Sequence, residues 1–340
     1  MSIKNFLLIF LLLSCQTVVA GIDLQSLASG TKIVTACKKI EFNNFREAHN
    51  PSLIKIEQGF LLIFRYRPDP QFQPWISCIG IVELDNSLEP TSKPYLLNTR
   101  PKNSKTPSQA EDARFFVYRN RLFLIYNDNV DVVAPGYSDR RDMFIAELSH
   151  VNDTYELSTP LKLYYEPDYR SILWQKNWTP FEYDGKLLLS YSLIPHLIIC
   201  PNLLTGGCYP YHETRMHIGW QFGTLRGSSQ AILVDGEYWS FFHSGIKTSS
   251  DASFGWDLWH YFMGAYAFAA TPPFAITRMT AKPIVTEGFY TISNHEKRVI
   301  FPGGFAVSGE TIYLACGKDD CEIWIMTIDK QELIKAMNPI

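Results

Sequence analysis

Five stretches of the chain share one shape, and this repetition constrains the fold more than any other feature. They are PSLIKIEQGFLLIFRYR from Pro51, AEDARFFVYRNRLFLIYND from Ala110, WTPFEYDGKLLLSYS from Trp178, SSQAILVDGEYWSFFHS from Ser228 and PGGFAVSGETIYLACGKDD from Pro302, and each reads as strand, turn, strand. The turns fall at Glu57-Gln58-Gly59, Arg119-Asn120, Asp184-Gly185, Asp235-Gly236 and Ser308-Gly309. They carry mostly the Gly, Asn and Asp residues that a tight hairpin needs for positive φ, between β-branched and aromatic runs. Successive turns are about 50 to 75 residues apart, the size of a four-stranded propeller blade with variable loops, and long helical periodicity is lacking beyond the first twenty residues. The expected fold is all-β, a five-bladed β-propeller formed by residues 21–340 as one domain.

Residues 1–20 read as a signal peptide. Lys4 precedes the apolar run Phe6 to Leu13, and Val18, Val19 and Ala20 supply a small-residue exit. A membrane-spanning helix needs about 20 apolar residues, more than this run holds. Export to a secreted or periplasmic location follows, with lipidation at Cys15 as the alternative. Beyond Cys15 an even set of cysteines falls into local pairs, Cys37 with Cys78, Cys200 with Cys208 and Cys316 with Cys321. Disulfides in these pairs suit an exported protein, although six cysteines allow about 15 connectivities. The bridge expected first is Cys200–Cys208, across the short loop from Pro201 to Gly207.

Zinc is not expected. No C-x2-C pair occurs, and His212 and His217 are one residue too far apart to share a helix face. No cofactor is called for. A net charge of −3 and a pI near 6.2, with no basic run, leave no electrostatic footprint for nucleic acid. The 14% aromatic content serves a β-rich core and also supplies flat faces on which sugar rings stack, so a small polar molecule or a glycan is the expected partner. Asn152-Asp153-Thr154 and Asn177-Trp178-Thr179 are glycosylation sequons, meaningful only in a eukaryotic host.

In a propeller the ends of the inner strands converge on one funnel, so residues flanking each repeat should meet. Those residues are polar or ionisable in every case: His49-Asn50 with Arg65 and Arg67, Glu111-Asp112 with Arg114, Lys176-Asn177, Arg226 with His243, and Asp319-Asp320. Solvated strand ends account for any one of them. Recurrence at the same place in each repeat points instead to a shared site.

These residues also carry a resemblance. Asn50-Pro51 is followed by Arg65, then Glu111-Asp112-x-Arg114, then Lys176-Asn177 with Pro180-Phe181, then the Asp235-Gly236 hairpin ending in His243. Tyr261-x-x-Gly264-Ala265, Pro272-Pro273-Phe274, Pro302-Gly303-Gly304 and Gly317-x-x-Asp320 complete the series. In order and spacing it resembles glycoside hydrolase family 130, the β-mannoside phosphorylases and β-mannosidases, over nearly all of residues 21–340. The resemblance implies a five-bladed propeller and a mannose-containing oligosaccharide or glycan as partner, with inorganic phosphate as a second partner in the phosphorylases. It places the general acid on Asp112 and the terminal-mannose pocket on Asn50, Arg65 and Asp320, with Glu111, Arg114, Lys176 and Asn177 also binding or orienting substrate. It places the phosphate pocket on Arg226, His243 and Tyr261. Two positions depart from the pattern: Ala113 stands where proline is usual, and Arg226 where lysine is common.

Cleaving a glycoside requires a proton on the departing oxygen. A carboxyl beside Glu111 in a desolvated funnel is expected to have its pKa raised enough to hold one. Inverting hydrolysis would need a second carboxylate about 6.5–9.5 Å from the acid, for which Glu213 and Asp257 are the loop candidates. Three classes follow: a β-mannoside-cleaving enzyme that inverts by hydrolysis or phosphorolysis, a mannosyltransferase using a nucleotide sugar, and a non-catalytic glycan-binding propeller. Export weighs against phosphorolysis, since a sugar phosphate released outside the cytoplasm loses its value to the cell.

Overall fold

The computed structural model describes residues 21–24, 27, 32–69, 71, 76–100, 107–129, 140–286 and 288–340. Residues 1–20, expected above to be a signal peptide, and with them Cys15, lie outside the described residues. After strand β1 (Val34–Ile40), blade 1 consists of β2 (His49–Ile56), β3 (Gly59–Tyr66), β4 (Cys78–Leu84) and β5 (Tyr95–Leu96). Blade 2 consists of β6 (Glu111–Tyr118), β7 (Arg121–Asp128) and β8 (Asp142–Val151), with β9 (Thr154–Leu157) and β10 (Leu161–Tyr165) sharing its outer edge. Helix α1 (Glu166–Tyr169) leads to blade 3, formed by β11 (Thr179–Tyr183), β12 (Lys186–Leu193), β13 (His196–Pro201) and β14 (Gly207–Thr214).

In blade 4 the inner strand is broken into β15 (Thr224–Gly227) and β16 (Ile232–Val234), both paired to β17 (Glu237–Thr248), with β18 (Leu258–Ala269) and β19 (Ile276–Thr280) outside. Blade 5 consists of β20 (Lys297–Ser308), β21 (Thr311–Lys318) and β22 (Glu322–Asp329), and its outer strand is β1. One end of the chain thus closes the ring. At the other, α2 (Lys330–Ala336) carries β23 (Met337–Pro339) back to the edge of blade 4.

Each blade is buried on both faces, which explains the near-continuous apolar runs in the repeats. In β3, Phe60, Leu62 and Phe64 pack toward blade 5, and Leu61 and Ile63 pack toward blade 2. In β7, Leu124 and Tyr126 face blade 1 while Ile125 faces blade 3. A period of two with both faces apolar yields one hydrophobic cluster per blade interface, five among the described residues.

The same alternation overturns the expected disulfides, since all six described cysteines are free thiols. Cys200 pairs in register with Tyr209, and Cys208 with Pro201, so the two sulfurs leave opposite faces of blade 3. Cys208 packs between blades 2 and 3, and Cys200 between blades 3 and 4. Cys37 and Cys78 belong to different blades. Cys316 is buried between blades 4 and 5, whereas Cys321 lies in the turn beyond β21 with its Sγ 3.5 Å from His295 Nε2. Among the described residues, no helix is long and apolar enough to cross a membrane.

Candidate active site

The inner strands lose regular register at one end. Ladders are bulged between His49 and Ser52, between Glu111 and Arg114, and between Pro302 and Gly304. Asn50, Asp112 and Asn177 take left-handed conformations (φ 45°, 52° and 67°), each two residues before the regular inner strand of its blade resumes. Asn and Asp tolerate this region better than other side chains, and a bulge re-aims the residue it carries. Blade 5 comes very close to the first bulge: a Cβ on Gly303 would lie 1.9 Å from the Pro51 carbonyl oxygen, and one on Gly317 2.4 Å from Asn50 Oδ1. Gly303 and Gly317 are required there by space.

These bulges open into a cavity of about 250 Å³ lined by residues of all five blades. Ten of the eleven residues given a role by the resemblance line it: Asn50, Arg65, Glu111, Asp112, Lys176, Asn177, Arg226, His243, Tyr261 and Asp320. Arg114 does not. It is fully buried beneath the floor, where it donates to the Ser228 carbonyl, to the Asp112 carbonyl at 3.2 Å and to Asn177 Oδ1 at 2.9 Å. Arg114 therefore ties blades 2, 3 and 4 together and touches the backbone of Asp112, not its carboxylate. Burial draws its pKa down to about 10 against the pull of Asp112.

Arg65 organises the acids. Its Nη2 lies 2.6 Å from Glu111 Oε1, its Nη1 3.5 Å from Asp112 Oδ1, and its Nε donates to Ser77 Oγ at 3.0 Å. Glu111 also accepts from Asn127 at 3.2 Å and has Arg141 Nη1 at 3.6 Å. Asn50 Nδ2 donates to Asp112 Oδ1 at 2.9 Å. These contacts overturn the expected pKa of Asp112. Burial alone would raise it, but Arg65, the Asn50 hydrogen bond, Lys176 and Arg114 outweigh burial and hold it at about 2. The charge of Glu111 is taken up by two arginines, so it does not push its neighbour upward.

The wall contributed by blades 3 and 4 differs. His243 accepts or donates at Nδ1 with Ser228 Oγ (2.6 Å), and burial together with Arg226, Arg114 and Lys176 lowers its pKa to about 3, so the ring is neutral. Tyr261 stacks on it at 6.2 Å between centroids. The Lys176 ammonium sits 4.9 Å from the Trp174 ring centroid. Among the described residues no carboxylate forms an ion pair with Lys176, Arg226 or Arg67, whereas Lys297 lies 3.4 Å from Asp320. The proposed hydrolytic bases are not at the cavity: Glu213 pairs with Arg215 at 2.7 Å on β14, and Asp257 faces Lys247 at 3.9 Å.

His49 and Arg67, flanking residues to which the resemblance gave no role, line the cavity too, as do Trp174, Lys297, Val299 and Phe301, which the sequence did not mark. Lys297, Val299 and Phe301 immediately precede the fifth repeat, so the flanking rule applied at its start would have found them. His49 is held neutral, with its pKa lowered to about 4 by burial and by Arg65. Among the described residues, no group of three or more His, Cys, Asp or Glu side chains is placed to hold a metal ion.

No family model matches the sequence, and a search of curated proteins finds no match. Solved structures do match. One is from the GH130 family of mannoside phosphorylases, which contains glycoside hydrolases that target β-1,2 mannosidic linkages in Candida mannan; TM-score 0.63, 13% identity, 84% of this chain and 85% of that one covered. A β-1,2-mannobiose phosphorylase from Listeria innocua matches with TM-score 0.58 and 15% identity over 88% and 94% of the two chains. A GDP-Man-dependent mannosyltransferase from Leishmania mexicana matches with TM-score 0.54 and 11% identity over 90% and 94%. The chain has the all-β, five-bladed propeller fold of these GH130-type structures.

Proposed function

We propose that this chain cleaves β-mannosides with inversion at the anomeric carbon, by phosphorolysis, with Asp112 governing protonation of the departing oxygen. The observation that carries the reading is the asymmetry of the cavity. The cavity's carboxylates, Glu111 and Asp112 of blade 2 and Asp320 of blade 5, gather around Arg65, while Lys176 and Arg226 flank neutral His243 and Tyr261 and, among the described residues, no carboxylate pairs with either cation. That wall suits an anionic nucleophile. A phosphate oxygen would bond to the anomeric carbon as the bond to the leaving sugar breaks, and that sugar oxygen takes the proton.

With its pKa held at about 2, Asp112 is ionised and must gain a proton on binding substrate before it can donate one. Three groups that depress its pKa, Arg65, Asn50 and Lys176, are themselves proposed ligand-binding groups. Sugar hydroxyls on Arg65 and Asn50, and phosphate on Lys176, would divert each of them, while exclusion of water favours the neutral acid. Asp112 then protonates the leaving oxygen directly or through a substrate hydroxyl. Export, read from residues 1–20, is kept without the support first drawn from cysteine pairing; it weighs against phosphorolysis, and the unpaired cations Lys176 and Arg226 at the cavity outweigh it in this reading. The three comparison structures are a hydrolase-containing family member, a phosphorylase and a transferase, and each chemistry has its own requirement.

The test is product analysis with β-1,2-mannobiose, with and without inorganic phosphate and with GDP-mannose. The expected product is α-mannose 1-phosphate, formed only with phosphate. Free mannose released at a phosphate-independent rate, or a strict need for GDP-mannose, would overturn phosphorolysis. Run across pH, the same assay should place the acid of kcat at higher pH than that of kcat/KM.

A further inference from the structure

Among the described residues three tryptophans are exposed, Trp174 at 44%, Trp256 at 72% and Trp259 at 46%. Trp174 lines the cavity, and Trp256 lies in the loop that leads into β18, where Trp259 stands. Trp259 and Tyr261 are two residues apart on β18 and so project from the same face. Tyr261 is in register with Val299 of β20, and Trp259 with Lys297, and Tyr261, Val299 and Lys297 all line the cavity. Trp259 therefore stands one strand step outside the cavity on its own wall. The rings form a ladder: His243 to Tyr261 at 6.2 Å and 26°, then Tyr261 to Trp259 at 6.1 Å and 41°. It climbs from a buried imidazole to a half-exposed indole.

We infer that Trp259 is the platform of an outer sugar subsite, on which a residue of the substrate chain beyond the cleaved disaccharide stacks. The inference rests on the mannoside reading above. A cavity of about 250 Å³ is too small for a longer chain, which must continue over its rim. On the β18 wall the rim is this ring. The polar groups beside it fit a neutral partner. Trp259 is in register with Lys247 of β17 on one side and Lys297 of β20 on the other. Each lysine faces a carboxylate, Lys247 near Asp257 at 3.9 Å and Lys297 near Asp320 at 3.4 Å. The ledge thus presents an apolar ring face with balanced donors and acceptors at its edges, the chemistry of a sugar's apolar face and its hydroxyl rim. The uncompensated cations Lys176 and Arg226 line the cavity itself, so a nucleotide's phosphates find no unpaired partner on the ledge.

The experiment compares Trp259→Ala and Trp259→Phe with the native chain on the β-1,2-linked di-, tri- and tetrasaccharides of mannose, by kcat/KM and by calorimetric binding. In the native chain kcat/KM should rise with chain length. Trp259→Ala should abolish that rise, lowering kcat/KM on the tetrasaccharide by about tenfold, the scale of one lost aromatic contact, while the disaccharide changes less than about twofold. Trp259→Phe, which keeps a ring, should retain most of the rise. The inference fails if Trp259→Ala keeps the native chain-length dependence, if it loses equally on all three sugars, or if it loses affinity for GDP alone. If the native chain turns over none of these sugars, the mannoside reading falls and calorimetry decides the ledge. Tighter binding of the longer sugar that Trp259→Ala abolishes upholds the subsite, and its absence overturns it.

Discussion

At one end of the central channel the inner strands present Asn50, Asp112, Asn177, Arg226 and Lys297. Further along the same strands, at the other end, they present Ile54, Phe115, Phe181, Ile232 and Phe305 around a second cavity of about 480 Å³. The apolar cavity is the larger, so size does not identify the site. What separates the two ends is the regularity of the backbone. At the apolar end the ladders run in register from Ser52 to Ile56 and from Arg114 to Tyr118, and the side chains alternate between neighbouring blades. At the polar end the ladders are bulged and carry three left-handed residues, held by Arg65, Arg114 and the close-fitting glycines of blade 5. Backbone strain of this kind persists only where surrounding contacts over-determine it.

The comparison is broken most severely by truncating a ring at the apolar end. Phe181→Ala should cost about 4 kcal/mol of stability, since it empties a fully buried ring position between blades 3 and 4. Activity per folded molecule should be nearly unchanged. Denaturant unfolding beside kcat measures both, and a parallel collapse of kcat would show that the two ends are coupled.

Arg65→Met should come next, at about 3 kcal/mol near pH 7, because Glu111 and Asp112 would be left buried without their shared cation. The sign with pH is definite. In the native chain the pKa of Asp112 is depressed to about 2, so its contribution is present above its unfolded pKa and is lost as pH falls through about 2. Without Arg65, burial lifts that pKa, and the variant loses stability as pH rises instead. The deficit should shrink toward about pH 4.5. A deficit independent of pH would mean that Arg65 acts only by packing.

The smallest effect expected is for exposed Arg226. Arg226→Ala should raise KM for phosphate about tenfold and leave KM for mannobiose unchanged, the loss of one charge-assisted contact. Equal changes in both would remove Arg226 from the anion wall.

The contrast between the two ends also explains what was legible in the sequence. Hairpin turns such as Asp184-Gly185 and Asp235-Gly236 are local, so blade count and inner strands could be read directly. The polar flanks of the repeats then marked the site. What escaped was set by partners distant in sequence. Nothing near Val34 announces that β1 pairs with β22, and nothing near Cys200 and Cys208 says that their register is offset by one residue, which sends their sulfurs to opposite faces. The pKa of Asp112 is set by Arg65 and Asn50 of blade 1, not by adjacent Glu111, so reading neighbours along the chain gave the wrong direction. Arg114 looked like a site residue because the strand end is polar, yet its bulge turns it beneath the floor.

The central claim is that Asp112 at the bulged end controls protonation of the leaving oxygen. Its most direct test is the turnover of Asp112→Asn on mannobiose and on para-nitrophenyl β-mannoside, with circular dichroism confirming the fold. The exchange keeps shape and hydrogen bonding and removes the titratable proton. Loss of at least about a hundredfold on mannobiose is predicted, with a much smaller loss on the nitrophenyl substrate, whose leaving group departs with little protonic help. Near-native turnover of mannobiose by the folded variant would contradict the account and leave Asp112 a charged strand-end residue held by Arg65.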